Sequence, residues 1–104
     1  MARQQKERAN EALALHQLGV VQAHVDPLDT AQAKAHYQQA VALAEELGMR
    51  PLVAHCHHGL GRLYYQTGRA AQARTALSAA IALYRAMDMT LWLPQAEAAL
   101  AQVG

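Results

Sequence analysis

Four consecutive residues, His55-Cys56-His57-His58, hold the densest concentration of reactive side chains in the chain. Neutral imidazole and thiolate both bind zinc. On a helix, however, successive side chains point in directions about 100° apart, so the four cannot close on one ion. His55 and His58 lie three apart and share a face. A metal there would need two further ligands, and His16 and His24 would supply them if the helices that carry them lie side by side. The simpler reading makes these groove or packing histidines, with no metal and no cofactor assigned. Cys56 has no cation or helix N-terminus beside it to stabilise a thiolate, so it reads as a small buried apolar residue. No orienting Asn or Asp and no oxyanion hole accompany it, and no nucleophile–base–orienter set is visible elsewhere. The expectation is that this chain is not an enzyme. Trp92 is either a partner anchor or, with Leu93 and Leu100, a cover for an exposed apolar end; the second reading is preferred.

Composition limits the elements that could position these groups. Ala is the most frequent residue, Leu, Gln, Glu and Arg supply much of the rest, and Phe is absent. These are helix formers, whereas a sheet would lack its usual β-branched and aromatic material. Charged residues make up 16% of the chain and the formal net charge is +1, which gives no electrostatic reason to expect nucleic acid or an anionic membrane as partner. No apolar run reaches the ~18 residues of a membrane span. The polar start, Met1 to Asn10, has no signal-peptide core. One cysteine excludes an internal disulfide and points to a reducing, cytoplasmic setting.

Start and stop signals divide the chain into five helices. The first runs from Gln4 to His24 and stops before Asp26-Pro27. The second begins at the capping residues Asp29 or Thr30 and ends at Leu47, with Gly48 as its left-handed terminator. Pro51 opens the third, which runs to Thr67 and is ended by Gly68. The fourth spans Arg69 to Ala86. The fifth runs from Leu91 to Gln102, with Pro94 in its first turn. Ala33, Tyr37, Ala40, Ala44 and Leu47 make one stripe on helix two, and Ala73, Leu77, Ala80, Tyr84 and Met87 one on helix four. Tyr64 falls on a core stripe and Tyr65 on the opposite side of helix three.

The chain repeats itself. Leu18-Gly19 recurs as Leu60-Gly61, and Ala33-x3-Tyr37-x2-Ala40 recurs at nearly the same offset as Ala73-x3-Leu77-x2-Ala80. The glycine of each first helix lets the second lie close, with the alanines as its small partners. His57-x2-Leu60-Gly61-x2-Tyr64, Gly68 and Ala73-x3-Leu77-x2-Ala80 together resemble the tetratricopeptide repeat (TPR). Leu15-x2-Leu18-Gly19-x2-Gln22 and Ala33-x3-Tyr37-x2-Ala40 are the first copy. The period is longer than that of the ordinary repeat, which implies a lengthened second helix, as in the repeats of kinesin light chains. The resemblance implies an all-α, TPR-like α-α superhelix of about two and a half repeats over residues 1–104: repeat one at 4–47, repeat two at 51–87 and a C-terminal capping helix at 91–102. The run from Glu45 to His57 and the ending from Tyr84 to Leu93 also resemble the C-terminal TPR tail of large bacterial signalling ATPase and nucleotide cyclase proteins, although the chain carries no Gly-x4-Gly-Lys-Ser/Thr loop and no paired metal-binding aspartates.

In such arrays the first helix of each pair lines the concave groove. Carried over from Leu-Gly, that groove would show His16, Val20 and His24, with Leu13, from helix one. Helix three would add His55, His58, Arg62, Tyr65 and Gln66, and the last helix Gln95, Ala98 and Gln102. The implied function is a protein–protein interaction or scaffolding module, the C-terminal part of a longer array in a bacterial signalling protein. Its partner would be a protein or peptide, not nucleic acid or membrane. The alternatives are a metal site built from the groove histidines and a passive structural spacer. Helix one carries Leu13, Leu15, Leu18, Val20 and Val21 around its circumference, which predicts self-association as a homodimer.

Overall fold

The computed structural model describes residues 2–25 and 30–103, with side chains described over 6–21 and 31–103. The described residues form five helices and no strand: α1 (Ala2–Val25), α2 (Thr30–Leu47), α3 (Arg50–Gln66), α4 (Ala70–Ala86) and α5 (Leu93–Val103). Asp26, Pro27 and Asp29, the first stop and second start expected from the sequence, lie outside the described residues. Pro51 sits in the first turn of α3, where its missing N–H costs nothing. Helix α5 begins at Leu93, slightly later than the sequence implies, because Leu91 and Trp92 belong to the turn before it.

Three helices end in the same joint. Gly48 and Gly68 take left-handed φ values of 72° and 78°, and Asp88 does the same at 58°. At the first joint, the Met49 N–H donates to Ala44 O at 2.8 Å and the Gly48 N–H to Glu45 O at 3.2 Å. The pairs Arg69 to Tyr64 (2.8 Å) with Gly68 to Tyr65 (3.1 Å), and Met89 to Tyr84 (2.9 Å) with Asp88 to Arg85 (3.2 Å), repeat it. This paired hydrogen-bond pattern is the Schellman motif, which satisfies carbonyls that a helix end leaves free. The joints at Gly48, Gly68 and Asp88 are evenly spaced, so α3 and α4, each with its turn, take up the same length of chain. The extra length over an ordinary repeat is therefore shared by both helices of a pair: α3 and α4 each have 17 residues.

Helix α1 packs on α2, α2 on α3, α3 on α4 and α4 on α5, while α1 also touches α3 and α3 touches α5. Among the described residues, the backbones of α2 and α4 make no close approach. The helices α1, α3 and α5 thus form the layer that closes up, and α2 and α4 the layer that splays. A stack bent in this sense is concave on the α1–α3–α5 side. Its smallest extent is 19 Å, two helices deep.

Small residues set how closely the layers approach. Ala33, Ala40, Ala44, Ala73 and Ala80 are all fully buried, as are Leu77 and Tyr84. A Cβ on Gly61 would lie 2.5 Å from Leu77 Cγ and 3.2 Å from the Leu77 backbone N. The glycine therefore makes room for Leu77; the alanines named from the sequence are not its nearest neighbours. In the first pair, Tyr37 takes the place of Leu77, and a Cβ on Gly19 would lie 3.0 Å from its ring. Gly59, which the repeat pattern does not single out, approaches the hydroxyl end of the same ring, 2.7 Å from an added Cβ.

Replacing a helical glycine with alanine ordinarily stabilises by about 1 kcal/mol. At Gly61 the sign reverses, because Leu77 and its backbone would have to move. Gly61→Ala is expected to destabilise by about 2 kcal/mol in urea unfolding, the scale of an overpacked core; a gain in stability would disprove the close approach.

Candidate peptide-binding face

Residues of α1, α3 and the α4–α5 turn meet on the concave side in a chain of rings, backed by Tyr37 of α2 and Tyr84 of α4. His16 lies 5.8 Å from Tyr37 and 6.3 Å from His55, centroid to centroid. His55 is 5.5 Å from Tyr84 and meets Trp92 nearly edge-on at 4.8 Å. His58 meets Tyr84 edge-on at 6.1 Å. Edge-to-face geometry of this kind adds to the plain burial of the rings.

One hydroxyl organises the centre. Tyr84 is fully buried, and its OH lies 2.8 Å from His55 Nδ1 and 3.4 Å from His58 Nδ1. A phenol has one hydrogen to donate. It therefore donates to one imidazole and accepts an N–H from the other, so the two neutral histidines hold opposite tautomers. Among the described residues, every buried side-chain polar atom has a partner.

Burial keeps these rings uncharged at neutral pH. Desolvation, with Arg62 and His55 nearby, lowers His58 to a pKa of about 4. Desolvation also lowers His55, and lowers His16 together with repulsion from His55. It pushes the Cys56 thiol up to about 12, so this buried sulfur stays protonated and is no nucleophile.

The sequence-derived groove residues separate into three groups. His16 and His55 are half-buried in the ring chain, and Val20 is partly buried beside them. Arg62, Tyr65 and Gln66 are exposed and continue the His55–His58 stripe along α3, as do Leu13 on α1 and Gln95, Ala98 and Gln102 on α5. His58, at 8% exposure, is a buried support behind the surface and not a surface contact. The His24 side chain lies outside the described residues. His55 and His58 both direct Nδ1 at a hydroxyl, and among the described residues no group of three or more His, Cys, Asp or Glu could hold a metal.

The sequence groups Trp92 with Leu93 and Leu100 over the apolar end. Leu93 and Leu100 do pack against the core of Ala80, Ile81, Tyr84 and Ala96. Trp92 instead leans on His55 with 37% of its surface exposed, so it belongs to the concave face. A signal exists: Trp92 stands one turn before Gln95, which the spacing assigns to that side. Surface hollows of about 230 Å³ between α2 and α3 and about 450 Å³ between α4 and α5 are lined by none of the ring-chain residues. The ring chain runs from α1 across α3 to the α4–α5 turn, a course that suits a chain laid along it more than a small enclosed molecule.

A family model of the tetratricopeptide repeat matches residues 11–86. The chain belongs to the tetratricopeptide repeat family. No curated protein and no solved structure gives a significant match. Repeats of this family generally serve as protein–protein interaction modules and typically lack catalytic activity of their own. No helix among the described residues is long and apolar enough to cross a membrane.

Because His58 binds a proton more readily unfolded (ordinary value 6.5) than folded (about 4), protonation favours unfolding between those limits. Stability is thus held above pH 6.5 and lost as pH falls toward 4, with His16 and His55 acting in the same direction. Unfolding measured at pH 7 and pH 5 should show His58 alone costing the wild type about 2 kcal/mol across that step. His58→Gln should lose correspondingly less over the same step; parallel profiles for the two proteins would refute the assignment.

Proposed function

We propose that the concave face of this repeat module binds an extended segment of a partner protein. The wall is formed by Trp92, His55 and His16, with Tyr65, Arg62 and Gln66 continuing it along α3. The observation that carries this reading is the half-exposed Trp92 ring set edge-on against His55. A large aromatic surface left in water at the centre of a concave wall is the usual anchor of an interface. With its imidazoles neutral, the wall selects for apolar or aromatic side chains and for backbone hydrogen bonding, and Arg62 adds one cation for a carboxylate. The α-helical framework is ordered before binding, which keeps the entropic cost low.

The organisation proposed is repeat one at 4–47, repeat two at 51–87 and a capping helix at 91–102. The wider setting is the tail of a longer array in a bacterial cytoplasmic signalling protein. Its support is the likeness of the Glu45–His57 and Tyr84–Leu93 runs to such tails, together with a lone, buried, protonated Cys56. Outside such an array, where no preceding repeat covers α1, two copies of this segment would associate as a homodimer through the exposed apolar residues of α1: Leu13, Leu18 and Val21 are each 46–53% exposed.

Trp92 is the one tryptophan of the chain, so its fluorescence reports directly on the wall. Peptides selected from a displayed library are expected to shift its emission. They should bind Trp92→Ala and Tyr65→Ala at least tenfold more weakly, a loss of about 1.4 kcal/mol or more. Selected peptides that bind both variants as tightly as wild type would place recognition elsewhere.

A further inference from the structure

Arg62 stands seven positions after His55 on α3. Seven residues are two helical turns less about 20°, so the two side chains leave the helix in nearly the same direction, about 10 Å apart. The Trp92 ring closes on His55 at one end of this line. The turn between them carries Gly59, which has no side chain, and His58, which is buried. Arg62 itself is exposed, and it takes part in neither ion pair found among the described residues: Arg8 holds Glu46 and Arg85 holds Glu97. Its neighbours on the concave side are Leu13, His16 and Val20 of α1 and Gln95, Ala98 and Gln102 of α5, none of them acidic. The face therefore joins an aromatic corner to a guanidinium that no acid of the same face matches.

We propose that this face reads a short acidic motif held as a polyproline II helix, with an apolar side chain in the corner between Trp92 and His55 and an aspartate or glutamate three residues away on Arg62. This rests on the concave face binding an extended segment. The separation on α3 selects the backbone. A β-strand returns a side chain to the same face every second residue, at about 7 or 13 Å. Polyproline II does so every third residue, at about 9 Å, the nearest match. Its backbone makes no internal hydrogen bonds, so its carbonyls stay open to the Trp92 indole N–H and to the amides of Gln66 and Gln95. Aromatic walls suit this conformation, because its stiffness lowers the entropy lost on docking. A guanidinium with no second cation on the face suits a carboxylate, which it can hold through two parallel N–H bonds, whereas a phosphate calls for a cluster of cations. That carboxylate is a side chain and not a chain end. Gln66 follows Arg62 one turn on, and Tyr65 beside it is 47% exposed, so the face continues past the guanidinium.

The probes are nine-residue peptides of alanine and serine, acetylated and amidated, with a phenylalanine fixed at the centre. One glutamate, or glutamine as control, is placed one to four positions to either side, and binding is followed by Trp92 emission and calorimetry. Affinity should peak with the glutamate three positions from the phenylalanine, about threefold above its glutamine control, the scale of an exposed ion pair. Arg62→Gln, shown to be folded by circular dichroism, should erase that difference and leave the glutamine peptide unchanged. Prolines at the two intervening positions, which fix the polyproline II backbone, should strengthen binding. A peak at two or four positions, weakening by the prolines, or a preference for glutamate that survives Arg62→Gln would overturn the motif. So would a peptide whose free C-terminal carboxylate at the third position binds more tightly than the internal glutamate. In each of those cases Trp92→Ala still weakens binding, and the concave face stands as the site. Undiminished binding to Trp92→Ala, or no binding by any probe, would overturn that site and the motif with it.

Discussion

Everything on the concave side depends on how closely the paired helices approach. That distance is set where a missing side chain on one helix admits a large one from another: Gly61 against Leu77, and Gly19 and Gly59 both against Tyr37. Tyr37 is thereby held between α1 and α3, which brings His16 of one within ring contact of His55 of the other. Between α3 and α4, the Gly61–Leu77 contact sets the helices close enough for the Tyr84 hydroxyl to reach both His55 and His58. The wall of rings is thus a product of backbone spacing in the layer beneath it.

The same packing explains why the histidines of the wall are polar yet uncharged. Imidazoles brought together and partly dehydrated give up protons more easily, and the single Tyr84 hydroxyl absorbs the hydrogen-bonding needs of two of them. The arrangement presents flat, neutral, hydrogen-bonding rings at little cost in unsatisfied polar groups.

Much of this is legible in local sequence. Gly48 and Gly68 announce left-handed helix ends, and the echo of Gly48 at Asp88 marks the third, where a short carboxylate tolerates that conformation better than most side chains. The pairing of α1 with α2 and α3 with α4 follows from the recurring Leu-Gly and Ala-rich spacings. What spacing conveys is direction around a helix, not depth beneath a surface. His58 therefore falls on the correct stripe of α3, yet the structure buries it against Tyr84. For Trp92 the sequence offers only its register one turn before Gln95; its contact with His55 depends on the turn that swings it back, between parts of the chain far apart in sequence. Gly59 escapes because nothing near it in the chain reveals that a tyrosine ring from another helix lies there.

The three Schellman joints at Gly48, Gly68 and Asp88 carry one further consequence. Since these three joints are built from the same backbone bonds at the same interval, the chain between them is written in interchangeable segments. A pair of helices cut between equivalent joints and inserted again would meet its new neighbours through hydrogen bonds it already knows how to make. Growth or shortening of such a molecule by gene duplication or loss therefore requires no new way of turning a corner.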